Sequence, residues 1–202
     1  MAAVVVIDYG MGNLRSVQKA LESVGAKAKV TQAGDDILKA DKVVLPGVGA
    51  FAVAMEKLKS LGLIEPIIKV IKSHKPFLGI CLGLQLLFSE SQEAKGIKGL
   101  GIFKGRVVKF KGVKVPHIGW NQIKINRKNN SKLFTGIGEE SNMYFCHSYF
   151  VNPEDKNIIA TKTNYGGDFV SGVACGNILG VQFHPEKSQE IGLKILENFL
   201  KI

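Results

Sequence analysis

The chain has 202 residues, 46% of them hydrophobic, and a formal net charge of +10. That length supports one domain, residues 1–202, with a full core; no apolar run reaches membrane-spanning length, and the first eight residues run straight into a strand rather than a signal segment. Three far-separated cysteines (Cys81, Cys146, Cys175) offer neither a disulfide framework nor metal-ligand spacing, so a cytoplasmic protein without metal or cofactor is expected.

The charge invites a nucleic-acid reading, but only three of the 27 basic residues are arginine (Arg15, Arg106, Arg127). Recognition of bases and phosphates recruits arginine, whereas diffuse lysine reads as a solvated face. No nucleic-acid or membrane partner is therefore expected. Anionic substrates or an acidic protein partner fit the charge as well.

Residues 2–7 are almost all β-branched or alanine, a run typical of buried parallel strands. Asp8-Tyr9-Gly10-Met11-Gly12-Asn13 follows, and residues 14–21 read as an amphipathic helix. The two glycines do not make a dinucleotide loop, because Arg15 stands where the third glycine of G-x-G-x-x-G belongs. Gly25 caps the helix, and residues 26–31 and 42–45 form two more strands. The third strand enters Pro46-Gly47-Val48-Gly49, which fits either a plain turn or a concavity of backbone N–H groups that binds an anion. Helices are expected over 52–61 and 63–73.

Residues 77–80 are a further apolar strand, and 82–88 read as a helix packed on a core. Cys81 sits between them, with Gly79 and Gly83 two residues to either side. The pattern fits a sharp strand-to-helix turn that holds a nucleophile clear of the sheet, at a helix N-terminus that favours a thiolate. A buried small hydrophobe is the other reading of such a cysteine. Strand–helix alternation to this point gives a parallel α/β sheet with ligands at the carboxyl ends of its strands. The Asn13, 47–49 and Cys81 loops all fall at that edge.

Beyond Gly96 the chain turns to short β-like pieces, with candidate strands in 99–115, 119–123, 144–150, 158–163, 169–174 and 178–183. The last element, 189–200, places Ile191, Ile195, Leu196, Phe199 and Leu200 on one helix face behind Ser188 as N-cap.

A thiol nucleophile needs a base, and the base an orienting group. Of the four histidines, His184 ends a strand in His184-Pro185-Glu186. Residues two apart on extended chain point the same way, so Glu186 is placed to hold the His184 ring and support its imidazolium. Alone, His-Pro-Glu is as readily a turn. His74 falls in a lysine-rich helix end and reads as exposed, while His117 and His147 fit core, pocket or interface.

Taken together, Gly79-Ile80-Cys81-Leu82-Gly83-Leu84-Gln85, Pro46-Gly47-Val48-Gly49 and His184-Pro185-Glu186 resemble the class I (triad-type) glutamine amidotransferases. Asp8 to Ser16, Pro116-His117-Ile118-Gly119-Trp120-Asn121, Tyr144 to Tyr149 and Gly180 to Ser188 are most similar to one branch, the glutaminase subunits of imidazole glycerol phosphate synthase. The resemblance implies a three-layer α/β sandwich, its central sheet mostly parallel, with additional antiparallel strands in the second half. It implies that Cys81 attacks the amide of L-glutamine, that His184 shuttles the proton and that Glu186 orients it. Backbone N–H groups at Gly47, Val48 and Leu82 would stabilise the oxyanion, and Gly49, Gln85, Glu93, His147, Ser148 and Tyr149 would line the glutamine pocket. Ammonia would pass to a (β/α)₈-barrel cyclase subunit across an interface near Asn13, Trp120, Tyr144 and Lys187, forming a heterodimer of histidine biosynthesis. Cys146 stands where the branch more often carries an aliphatic residue, and is expected to pack as one. A paralogous glutaminase feeding a sugar-modifying or pyridoxal phosphate synthase, and a non-catalytic regulatory module, are the alternatives.

Overall fold

Strand β1 (Ala3–Ile7) shows how the layers form. Its side chains alternate between two apolar clusters, Val5 and Ile7 joining Val43, Leu45 and Phe77 in one, Val4 and Val6 joining Val44, Leu78 and Ile80 in the other. A strand shared this way, with period two, is buried on both faces. The computed structural model describes residues 2–202. Helix α1 (Leu14–Ser23) supplies Val17, Ala20 and Leu21 to one cluster. After β2 (Lys27–Thr31) come α2 (Gly34–Lys39), β3 (Lys42–Gly47), α3 (Phe51–Ser60) and α4 (Ile64–Lys72), whose apolar sides fill the other. With β4 (Phe77–Cys81) the strands run parallel in the order β2-β1-β3-β4.

The second half extends the same sheet. It contains α5 (Leu82–Leu86), β5 (Phe88–Ser91), β6 (Phe103–Lys109), β7 (His117–Ile125), β8 (Ser141–His147), β9 (Tyr149–Pro153), β10 (Ile159–Asn164), β11 (Asp168–Cys175), β12 (Ile178–Val181) and α6 (Gln189–Lys201). Strand β12 lies parallel against β4, and β11, β10, β7 and β8 follow in antiparallel order. A branch of β5, β6 and β9 joins through β9 to β11. This is the expected α/β sandwich, parallel first and antiparallel later.

Several local expectations change. Helix α2 has only Ile37 buried, too little for a periodic signal, and rests instead on Asp35 and Asp36 in its first turn. The helix after Cys81 stops at Leu86, and Phe88 opens strand β5, because Phe88 and Phe103 pair in register on β6. Residues 144–150 are two strands, broken at Ser148, with β8 on β7 and β9 on β6. Ser188 does not cap α6 with its side chain. Its hydroxyl donates to the His184 carbonyl at 2.7 Å and accepts the Tyr144 N–H at 3.0 Å. On α6, Ile195, Leu196 and Phe199 are buried as expected, but Ile191 is exposed. Cys146 is exposed rather than packed, because on β8 it falls on the outward face, opposite Ile118.

The tightest backbone approach sits under the Cys81 turn. A Cβ at Gly83 would overlap the Leu45 carbonyl oxygen, which neither strand nor helix can move away. Gly83→Ala is expected to cost about 3 kcal/mol or more, read by chemical denaturation. Gly138→Ala, where the added carbon would meet only Ser141 Oγ at 3.6 Å, is the control and should stay within about 0.5 kcal/mol.

Candidate active site

Strand β4 ends in a residue with an unusual backbone: Cys81 has φ 53 and ψ −108, and α5 starts at the next residue. A β-carbon in this region is strained, and such strain persists only where the surroundings hold it. Here they do, since a Cβ at Gly79 would press on the backbone of Gly83 and Leu84 at 2.8 Å, and Gly83 lies on Leu45. The two glycines let strand and helix cross closely enough to form the turn. Its effect is to carry the thiol to the sheet edge while leaving Cys81 only 5% exposed.

Pairing of β12 with β4, Val181 beside Ile80, delivers the next residues to the same edge. His184 Nδ1 lies 2.8 Å from Glu186 Oε1, and the two side chains are 3% and 1% exposed. The backbone of His184 is fixed from both sides, by Tyr144 O accepting its N–H at 2.9 Å and by the Ser188 hydroxyl on its carbonyl. Burial pulls the His184 imidazolium down, but Cys81 and Glu186 outweigh it and push the ring up to about 10. The ring is thus held as the cation wherever sulfur and carboxylate are charged.

Cys81 opens into a cavity of about 240 Å³. Its walls are Val48, Gly49, Leu82, Gln85, Glu93, His147, Ser148 and Tyr149, together with Pro116 and Cys146. All the pocket residues expected from sequence therefore meet there. Gly47 lies at the end of β3 directly beside Cys81 in register and is not among the residues that wall the cavity. Glu93 Oε2 accepts the Phe51 N–H at 2.9 Å, pinning α3 just after the 46–49 loop. Asn13, Trp120, Tyr144 and Lys187 lie outside the cavity. Trp120 meets Tyr144 edge-on at 6.0 Å, Lys187 Nζ lies 5.6 Å from the Tyr144 ring centroid, and exposed Asn13 heads the helix that packs on the 185–187 turn.

Four residues went unassigned in the sequence. Gln182, fully buried, donates from Nε2 to Cys81 Sγ at 3.6 Å. The Tyr9 hydroxyl is buried without a partner next to Gly47, and burial together with the Cys81 charge pushes the phenol up. His117 and Asn121 belong to a chain that ends in the pocket. Asn121 Nδ2 donates to His117 Nε2 at 3.2 Å, His117 Nδ1–H to His147 Nε2 at 3.1 Å, and His147 Nδ1–H to the Tyr149 carbonyl at 2.8 Å. The final carbonyl only accepts, and this fixes each tautomer in turn. Polar residues at alternate positions of half-apolar strands were the available signal for Gln182, His117 and Asn121. Nothing in sequence tells such a residue from a solvated one.

Both chain histidines are neutral. Burial, opposed by the bond to the Tyr149 carbonyl and aided by positive charge on His184, lowers His147 to about 3, and burial also lowers His117. The unfolded chain protonates His147 near 6.5, so between about 6.5 and 3 unfolding takes up a proton and stability falls as pH falls. In that window one such group contributes a slope of about 1.4 kcal/mol per pH unit. Urea denaturation should therefore show a shallower acid-side loss, by about one proton, in His147→Gln than in the parent.

Comparison with known proteins agrees with this geometry. The family model for class-I glutamine amidotransferases matches residues 5–202. The imidazole glycerol phosphate synthase subunit HisH of Syntrophotalea carbinolica is 52% identical, the match covering 97% of this chain and 98% of that protein. The subunit of the same name from Aquifex aeolicus is 54% identical over 96% of this chain and 94% of its own length. Among solved structures, PurLQS from Thermotoga maritima superposes with a TM-score of 0.75 at 22% identity, covering 100% of this chain and 99% of that one, a likeness of fold alone. The chain belongs to the class I glutamine amidotransferase family, and within it to the HisH subunits of imidazole glycerol phosphate synthase.

Proposed function

We propose that the chain hydrolyses L-glutamine to glutamate and ammonia through a Cys81 thioester, and passes the ammonia to a cyclase subunit. The observation that carries this reading is the buried His184–Glu186 pair at 2.8 Å beside a cysteine on a strained turn that opens into a cavity. Cys81 Sγ gives its proton to His184 and attacks the side-chain amide carbon. The oxyanion that forms is stabilised by backbone N–H groups of Leu82 and the Gly47–Val48 loop. His184 returns the proton to the amide nitrogen, the C–N bond breaks and ammonia leaves. Water, deprotonated by His184, then attacks the thioester, and the thiolate departs with glutamate released. Glu186 holds the imidazolium through both halves.

Gln85, Glu93, His147, Ser148 and Tyr149 orient glutamine in the cavity, with Gly49 at its rim. The names of the relatives, each a synthase subunit, support a partner, and we assign it as a (β/α)₈-barrel cyclase that spends the ammonia in making imidazole glycerol phosphate and aminoimidazole carboxamide ribotide. Its docking face is the Asn13, Trp120, Tyr144 and Lys187 cluster. Among the described residues no helix is long and apolar enough to cross a membrane, and the proposed setting is the cytoplasm.

Glutamate release by the purified chain, alone and with the cyclase subunit and its nucleotide ligand, tests the reading, with Cys81→Ala as blank. If docking turns a peptide of the 47–49 loop so that one oxyanion donor is gained, release should rise by at least about 100-fold. Release that persists in Cys81→Ala would remove the nucleophile assignment. Release indifferent to the cyclase would point to another synthase.

A further inference from the structure

We propose that Gln182 is a further catalytic residue, donating a hydrogen bond to the Cys81 sulfur as it becomes a thiolate, with Gln85 holding its amide in the donating orientation. The inference rests on the reading of Cys81 as nucleophile.

Gln182 follows directly on β12, whose register against β4 sets Val181 beside Ile80 and so brings Gln182 to Cys81. It is fully buried, and its backbone N–H is already used on the Ser171 carbonyl at 2.9 Å. A primary amide is costly to bury unless both ends are bonded. One end of this amide meets Gln85 at 3.1 Å and the other meets Cys81 Sγ at 3.6 Å.

Which end is which is fixed by the neighbours. The Gln85 atom that meets Gln182 also lies 2.9 Å from the Tyr149 carbonyl oxygen. A carbonyl oxygen only accepts, so that Gln85 atom is the nitrogen Nε2. Its second hydrogen then points at Gln182, whose facing atom must be the oxygen. The remaining atom, the nitrogen, faces the sulfur. Flipping Gln182 would set two N–H groups head to head and leave an oxygen against a thiolate.

The chemistry follows from charge on sulfur. Neutral sulfur is a weak acceptor, whereas hydrogen bonds to an ionised acceptor are roughly twice as strong as neutral ones. The Gln182 contact is therefore strongest when the Cys81 proton has moved to His184, and weakens when sulfur is acylated. When water attacks the thioester, the carbon–sulfur bond breaks and its electron pair returns to sulfur, where the same N–H receives it. The residue acts on both the entry and the exit of the thiolate, with no proton of its own transferred.

Two isosteric variants test this in the complex with the cyclase: Gln182→Met, which removes the donor, and Gln182→Glu, which sets an acceptor against the sulfur. Both should lose about 10- to 100-fold in kcat, the loss expected for a hydrogen bond to a charged group. KM for glutamine should stay within about threefold, since Gln182 is not on the cavity wall. Alkylation of Cys81 by iodoacetamide at neutral pH, which needs no glutamine, should slow in both, more in Gln182→Glu. Gln85→Leu, which frees the amide to flip, should slow alkylation too, and serves if the Gln182 variants do not fold. A Gln182→Met chain whose kcat and alkylation rate stay within about twofold of the parent would overturn the proposal. So would a loss confined to KM. Absence of Cys81-dependent glutamate release in the parent would instead strike the underlying reading, and the alkylation arm separates the two failures.

Discussion

Everything at the site depends on how closely the backbone of α5 lies on that of β3. Gly83 rests against the Leu45 carbonyl, and Gly79 leaves the space in which the helix turns back over its own strand. Only with both contacts bare of side chains does the chain pass from strand to helix at a single residue, forcing Cys81 to φ 53. Strain at one residue costs about 1–3 kcal/mol and is offset by the packing around it. Leu84, Leu86, Leu87 and Phe88 are completely buried just beyond the turn. The short helix is held by this burial rather than by its own propensity, since five residues are too few to be stable alone.

Parallel pairing of β12 with β4 does the rest of the positioning. It places the nucleophile strand and the base strand side by side and in the same direction, so both end at one edge. His184 and Glu186 follow β12 as Cys81 closes β4. The interior at that edge is polar, and apart from the Tyr9 hydroxyl and Glu186 Oε2 its buried side-chain groups are linked by hydrogen bonds. One hydrogen-bonded path runs from Cys81 Sγ through Gln182, Gln85, the Tyr149 carbonyl, His147, His117 and Asn121 to the Asn164 carbonyl. A satisfied buried network rigidifies what it touches, whereas one missing member leaves a buried group unpaired at a cost of about 1–3 kcal/mol. Tyr149, which opens β9 just after the break at Ser148, is held both by this path through its carbonyl and by pairing with Lys109 of β6.

Sequence pattern revealed those features that local physics dictates. The apolar run of β1, the Gly-x-Cys-x-Gly turn and the His-Pro-Glu spacing each follow from period, backbone conformation or side-chain direction, and each is found where it was expected. What escaped depends on distant neighbours. Phe88 continues a helical leucine pattern, and only its partner Phe103 on β6 makes it a strand. Residues 144–150 alternate as one strand, yet the two halves find different partners, β7 and β6. Ser188 has the composition of an N-cap, but the His184 carbonyl and Tyr144 N–H offered it better bonds. Gln182 sits between valine and phenylalanine, and its meaning appears only when β4 lies next to it.

Strand β7 joins the pocket to the proposed partner face without any intervening loop. Its alternate residues His117 and Asn121 point into the histidine chain, while Ile118 and Trp120 are 58% and 48% exposed on the other side. Strand β8 repeats the division, with His147 inward and Tyr144 and Cys146 on the outer face, directly opposite Trp120 and Ile118. A side-chain period of two makes this division unavoidable: a strand that lines a buried site with one set of residues offers the other set elsewhere. Of the exposed apolar residues, Val48 lines the cavity, Ile118 and Trp120 share the outer face of β7, and Ile191 borders one surface groove with Trp120. A partner seated on Trp120 would bear on the same strand that fixes the tautomer of His147. Register, rather than any mobile lever, ties the two faces together.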